Sequence, residues 1–273
     1  GIGFVYLYPV LYMIVNSFLS AGDLTDPSVT WIPTELCFDN FSTAFETLDF
    51  FKSFGMSMLM SLIPAVLQTA VTAVVAYGLA RFHIPFKKVI LVLILITFLL
   101  PTQVMLVPRY VLFDTYHLTD TIWAQFLPAL FGQGLNSAIF IFVYYSYFVS
   151  YPVVLDEAAE IDGAGKWKIF LKVSLPMAKG AIILSMLFSF VFYWNETYLS
   201  NTLWGGKIQT LPLKLQSFTL QYEALYGKEA AGSISESVSL AGTVVSSLPL
   251  LVMYLIFQRQ FVESIESTGI TGE

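Results

Sequence analysis

The sequence predicts an all-α membrane protein with six transmembrane helices, and three observations carry the prediction. Apolar residues make up 56% of the 273-residue chain and charged residues only 12%, whereas a soluble domain is about one quarter charged. Six stretches are apolar over lengths near the roughly 20 residues a helix needs to cross a bilayer core. None of these six contains Asp, Glu, Lys, Arg or His.

In chain order the predicted spans are about 2–20, 53–80, 89–108, 122–150, 181–195 and 238–257. The first begins at once with GIGFVYLYPVLYMIVNSFL. It lacks the charged start and small-residue cleavage site of a signal peptide, and reads as a mature span whose cytoplasmic lead-in precedes it. The fourth is long enough to be tilted or broken. The fifth is short unless it continues through Tyr198 and Leu199, giving 181–199. Pro64, Pro101, Pro128 and Pro249 fall inside spans, which is tolerable where neighbouring helices satisfy the freed backbone groups. The whole of 1–273 is read as a single transmembrane domain.

Several function classes are excluded. The net charge is −6, from 13 Lys+Arg against 19 Asp+Glu, so no basic surface invites nucleic acid. A single cysteine, Cys37, leaves no disulfide framework. His83 and His117 lie far apart, and no metal-ligand cluster is visible. There is no Gly-x-x-x-x-Gly-Lys-[Ser/Thr] sequence, so the chain carries no P-loop of its own. No catalytic residues are predicted.

Lysine and arginine set the orientation. Segments 81–88, 151–180 and 258–273 hold eight of them, and the longer segments 21–52, 109–121 and 196–237 hold five. The first set is therefore assigned to the cytoplasm, together with both termini. The acid-rich 21–52 stretch reads as an external, solvated loop. Proton-coupled transporters usually carry ionisable groups at membrane depth, and these spans carry none. Any uphill movement then draws its energy from a partner, although backbone carbonyls at a broken helix leave sodium coupling open.

The most informative segment is 151–180, with DEAAEIDGAGKWKIFLKVSLP at 156–176. Leu155, Ala158, Ala159 and Asp162 recur at helical spacing and share one face. Asp156 and Glu157 fall in the first turn, where the helix dipole favours negative charge. Gly163 and Gly165 are suitable stops. A second amphipathic piece follows, with Trp167, Phe170, Leu171 and Val173 among Lys166, Lys168 and Lys172. Two readings remain: helices lying on lipid headgroups, or a docking surface for a cytoplasmic protein. The acids favour the second, because anionic lipid repels them.

Glu157-Ala158-Ala159, Gly163 and Val173-Ser174-Leu175-Pro176 also resemble the EAA motif of ABC importer permeases, with Val in place of Ile. Asp162-Gly163-Ala164 and Phe170 are similar to the carbohydrate branch, in particular the smaller membrane subunit of maltose-type importers. Ala76–Phe82, Leu100-Pro101-Thr102-Gln103, Pro108-Arg109-Tyr110, Trp194-Asn195-Glu196, Thr210–Leu213 and Gln258–Val262 match further family stretches in order. Gly180, Tyr144-Tyr145 and the Thr271-Gly272-Glu273 tail depart from it.

The resemblance implies a type I ABC importer permease fold and a bacterial-type cytoplasmic membrane. It implies import of an oligosaccharide or related sugar by alternating access. Loop 151–180 would be the coupling helix region, with Glu157, Ala158, Ala159, Asp162, Gly163 and Ala164 as ATPase-coupling residues. Tyr193, Trp194, Asn195 and Glu196 mix aromatic faces with hydrogen-bonding groups and are the substrate-pathway candidates; an interfacial aromatic belt is the alternative. The long external loop 204–236 would reach toward the binding protein. Implied partners are a homologous permease, two ATPase subunits, an extracytoplasmic substrate-binding protein and membrane lipid. ATP and Mg would sit on the ATPases, with no cofactor in this chain. A non-sugar importer or a sodium-coupled secondary transporter are the alternatives.

Overall fold

The computed structural model describes residues 2–29, 31–228 and 236–269, with side chains through 259. Gly232 of the external loop and the Thr271-Gly272-Glu273 tail lie outside the described residues, as do the side chains from Gln260 onward. Among the described residues every regular element is a helix. Backbone contacts divide the chain into two units, one comprising the residues through Met58 with Gln209–Leu255, the other Leu59–Ile208 with the residues from Ile256.

In the first unit, Ile2–Asn16 is followed by short helices Ala21–Thr25 and Asp39–Thr47. Ser20 and Asp23 form a reciprocal capping box at the start of Ala21–Thr25, which satisfies two otherwise orphaned N–H groups. Asn40 Nδ2 donates to the Ser17 and Leu19 carbonyls at 3.0 and 2.9 Å. The acid-rich 21–52 segment is thus not merely solvated. Asp23 accepts from Thr34, Glu46 from Tyr226, and Asp49 pairs with Lys214 at 3.5 Å. Hydrogen bonds from Thr34, aided by Ser20, hold the Asp23 carboxyl below its ordinary value. Phe218 lies so close to Gly242 that an added Cβ would stand 2.8 Å from its ring.

The helices, most of them in the second unit, depart from the predicted spans in instructive ways. Residues 53–80 fall in one unbroken helix, Phe50–Arg81, despite Pro64. Proline removes the N–H that would bond the carbonyl four residues earlier. That carbonyl, Met60 O, instead accepts from Gln125 Nε2 at 2.7 Å. The substitution Gln125→Leu is expected to cost about 1–3 kcal/mol by stranding it, read as a lower unfolding midpoint in detergent. An unchanged midpoint would show that another donor replaces Gln125.

Predicted span 89–108 is two helices, Lys87–Leu99 and Thr102–Thr115, at 98°. Pro101 holds Leu100 extended (φ −71°, ψ 122°), as a residue before proline must be. Predicted span 122–150 is likewise Trp123–Leu130 and Ser137–Ser150, separated at 131–136 by left-handed Gly132 and Asn136. Two helices, Phe50–Arg81 and Glu236–Arg259, are individually long and apolar enough to cross a membrane. Three bent pairs reach that length if each is one span, and Gly3–Asn16 is shorter. The core of this unit joins Ala73, Ala76 and Tyr77 to Ile141, Tyr144 and Phe148, and to Phe170 and Ala181. It underlies the 151–180 loop.

Candidate functional site

The loop folds as the glycine pattern predicts. Helix Val154–Ile161 ends at Asp162, and Gly163 takes the left-handed conformation at φ +77°. Gly163 N–H donates to Glu160 O and Ala164 N–H to Ala159 O, each at 2.9 Å. This is a Schellman closure. Gly165 then caps Lys166–Met177, which contains a π-helical turn at Phe170–Ser174. Phe170 anchors that turn 4.9 Å from the Tyr77 ring, whereas Trp167 remains exposed.

One side of Val154–Ile161 is fixed by charge. Asp156 is buried, and its Oδ2 lies 3.2 Å from Arg81 Nε, with both side chains about one tenth exposed. Arg81 Nη2 donates to Tyr151 O at 2.8 Å, and the guanidinium sits 3.9 Å over the Tyr151 ring. The Tyr151 hydroxyl donates to Asp156 Oδ1 and lies 2.9 Å from Ser174 Oγ. With its only proton on Asp156, the phenol accepts from Ser174. Burial, reinforced by the Asp156 carboxylate, pushes the Tyr151 phenol up to about 12, so it stays protonated at neutral pH. Asp156 is therefore more than a helix-dipole acid.

The predicted residues take the opposite side. Glu157, Ala158, Asp162 and Gly163 are exposed, and Ala159 and Ala164 half-buried. Val154 at 68% and Ile161 at 87% exposure add apolar surface beside them. Glu160 forms an ion pair with Lys166, tying the two helices together. The result is an acidic and apolar face with small alanines between, mounted on a buried ion pair. Sequence reasoning found the face but not Arg81, Tyr151 or Ser174 beneath it. The hints were positional: Arg81 closes a long apolar helix within the family-like stretch 76–82, and Ser174 falls inside the motif's Val173–Pro176 end.

A second feature is a small cleft, partly open to solvent, within the same unit. Of the four predicted pathway residues, Tyr193 and Glu196 line it. Trp194 is buried with its ring 5.7 Å from Phe190, and Asn195 turns back to donate to Val191 O at 3.0 Å; neither lines the cleft. Glu196 accepts from Leu199 N–H at 2.7 Å. Sequence reasoning missed Arg109, Gln125 and Gln133 as lining residues. Arg109 makes no hydrogen bond or ion pair among the described residues. Guanidinium, amides, carboxylate and aromatic ring converge here, a set able to hydrogen-bond a polyhydroxyl ligand while covering its C–H faces.

The cleft floor is the break at 131–136. Tyr193 OH donates to Gln68 Oε1 at 2.6 Å, and Gln68 Nε2 donates to Leu135 O at 2.7 Å. Leu135 N–H donates back to Tyr193 OH at 3.2 Å. Irregular backbone at membrane depth is tolerated where protein satisfies it, and this triangle satisfies both polar groups of Leu135. Among the described residues no His, Cys, Asp and Glu grouping could hold a metal ion.

The arabinooligosaccharides transport system permease protein AraQ of Halalkalibacterium halodurans is 27% identical over 280 residues, covering 99% of this chain and 93% of that protein. The trehalose transport system permease protein SugB of Mycobacterium tuberculosis is 29% identical over 269 residues, covering 97% and 93%. A chain from the crystal structure of a bacterial ABC transporter involved in the import of the acidic polysaccharide alginate superposes with a TM-score of 0.78. It is 22% identical, over 94% of this chain and 91% of that one, and shares the fold. Residues 71–266, most of the chain, match one family over their whole length, and the chain belongs to that family, the binding-protein-dependent transport system inner membrane components.

Proposed function

We propose that the chain is a permease subunit of a binding-protein-dependent ABC importer for an oligosaccharide or related sugar. The observation that carries the reading is the exposed face of Val154–Ile161, with Glu157-Ala158-Ala159 outward and Asp156 anchored inward. A cytoplasmic ATPase with an apolar cleft and cationic rim fits that face, because the alanines permit close approach and Glu157 offers a charge. The chain has no P-loop, so ATP and Mg belong to two such ATPase partners. A homologous permease completes the pathway, and an extracytoplasmic binding protein delivers substrate. Six spans are counted when Gly3–Asn16, the bent pair Lys87–Leu99 and Thr102–Thr115, and the helices Ser137–Ser150 and Lys179–Asn195 join the two long ones, leaving the 151–178 loop outside them. An even count puts both termini on one side, and the lysine and arginine placement assigns that side to the cytoplasm.

The sugar class is supported by the relatives' transport roles and by the lining of the cleft. Tyr193 and Glu196 are assigned to the substrate pathway together with Arg109 and Gln133.

The test is reconstitution of the complete importer, with binding-protein-stimulated ATP hydrolysis and uptake measured over a panel of neutral and acidic oligosaccharides. Stimulation by at least one sugar is expected, and stimulation only by non-sugar solutes would reject the class. Glu157→Lys is expected to lower uptake by a factor on the order of 30 or more, as loss of an interface hot spot does. Arg109→Ala is expected to raise the half-saturating sugar concentration by about tenfold, as loss of a charged hydrogen bond would. Normal uptake by Glu157→Lys would sink the docking assignment, and an unchanged half-saturation in Arg109→Ala would remove the cleft from the pathway.

A further inference from the structure

The Arg81–Asp156–Tyr151–Ser174 cluster is larger than a helix N-terminus needs. Asp156 already lies in the first turn, where the dipole alone favours a carboxylate in solvent. Here it is buried instead, with one oxygen against Arg81 and the other receiving the Tyr151 hydroxyl. Each member sits on a different element. Arg81 is the last residue of Phe50–Arg81, Tyr151 closes Ser137–Ser150, Asp156 begins the exposed loop helix, and Ser174 ends the π-helical turn. The backbone participates too, through Tyr151 O and Arg81 Nη2. Glycine gives the far end of Val154–Ile161 its turn, and an added Cβ at Gly163 would meet nothing within 4 Å. The loop helix is therefore anchored in the buried cluster at its N-terminus, whereas its C-terminus is tied only to Lys166–Met177, through the glycine turn and the exposed Glu160–Lys166 pair.

From this asymmetry we infer that Arg81, Asp156 and Tyr151 are positioning residues that transmit displacement of the exposed loop helix into Phe50–Arg81. The inference rests on the docking reading above and deepens it. A partner pressing on Glu157, Ala158 and Ile161 moves a lever whose fixed end is the buried ion pair. A buried pair suits this task because separating its members would leave an uncompensated charge in a low-dielectric site, so they move together. The Tyr151 hydroxyl carries the same displacement to Ser174 and the start of the following span.

The test uses the complete importer with its ATPase partners in lipid nanodiscs, in a Cys37→Ser background. A nitroxide spin label is placed at Ile161→Cys on the loop helix or at Val66→Cys on an exposed position of Phe50–Arg81. MgATP is the probe, so the identity of the sugar does not enter. With the cluster intact, MgATP is expected to change the spectrum at both labels. With Asp156→Asn the change at Ile161 is expected to persist, while that at Val66 falls to less than about one third. Tyr151→Phe, which removes only the hydroxyl links, is expected to reduce the Val66 response by about half, and decides the matter if Asp156→Asn does not assemble. A Val66 response that stays at its full size in the assembled variants overturns the inference, as does a Val66 label silent in the intact importer. A silent Ile161 label in the intact importer instead removes the docking reading on which the inference stands.

Discussion

Uptake is expected to disappear when Gly163 is replaced by proline, with the chain still inserted in the membrane at its normal level. Gly163 sits at φ +77° with its N–H on Glu160 O. Proline is confined near φ −65° and has no N–H, so both requirements fail together. The Schellman closure then opens, and Val154–Ile161 loses its orientation relative to Lys166–Met177. Alanine retains the N–H and meets nothing within 4 Å, so its cost is the left-handed conformation alone, about 1–2 kcal/mol. Partial uptake is therefore expected from Gly163→Ala. The measurement is sugar uptake normalised to membrane-inserted permease, and full uptake by the proline variant would mean that the turn is not needed for coupling.

The largest loss of stability is expected from Gly134→Val. A Cβ at this position would overlap Gln68 Oε1 and Tyr193 OH and would stand 3.1 Å from the Ala129 backbone. The clash falls on the network that satisfies Leu135. Overpacking costs about 1–3 kcal/mol, and each buried polar group left unsatisfied adds about 1–3 more. The expected total is about 3–5 kcal/mol, measured as the change in unfolding free energy in detergent. Gly134→Ala should lie between the native protein and the valine variant. A valine variant of native stability would show that the break at 131–136 can move away from Gln68 and Tyr193, and that the triangle does not fix it.

The loop was the most legible part of the chain. Its glycines, its first-turn acids and its alanine spacing are local features, and local backbone chemistry decides where a short helix starts and stops. The long apolar helices were legible for a similar reason, since length and hydropathy are summed along the chain. Breaks were less so. Pro64 and Pro101 look equivalent in sequence, yet one lies inside a continuous helix and the other marks a bend of 98°. At Pro64 the orphaned carbonyl is met by Gln125, and no local pattern announces a donor from another helix. The pathway quartet divides for a comparable reason. Successive helical residues point in different directions, so Tyr193 faces the cleft while Trp194 packs against Phe190 and Asn195 returns to its own backbone.

By itself the sequence determined that this is a helical membrane protein with a polar, acid-bearing loop of family type. Hydropathy, charge placement and motif spacing are properties of the chain taken in order, so they survive without coordinates. Only the tertiary structure decided which acid is the anchor and which the contact. Asp156 and Glu157 are neighbours with the same charge in the same turn, but helical rotation turns one toward Arg81 and the other toward solvent. A buried ion pair needs two elements brought together by folding, and that meeting separates the lever's fulcrum from its face.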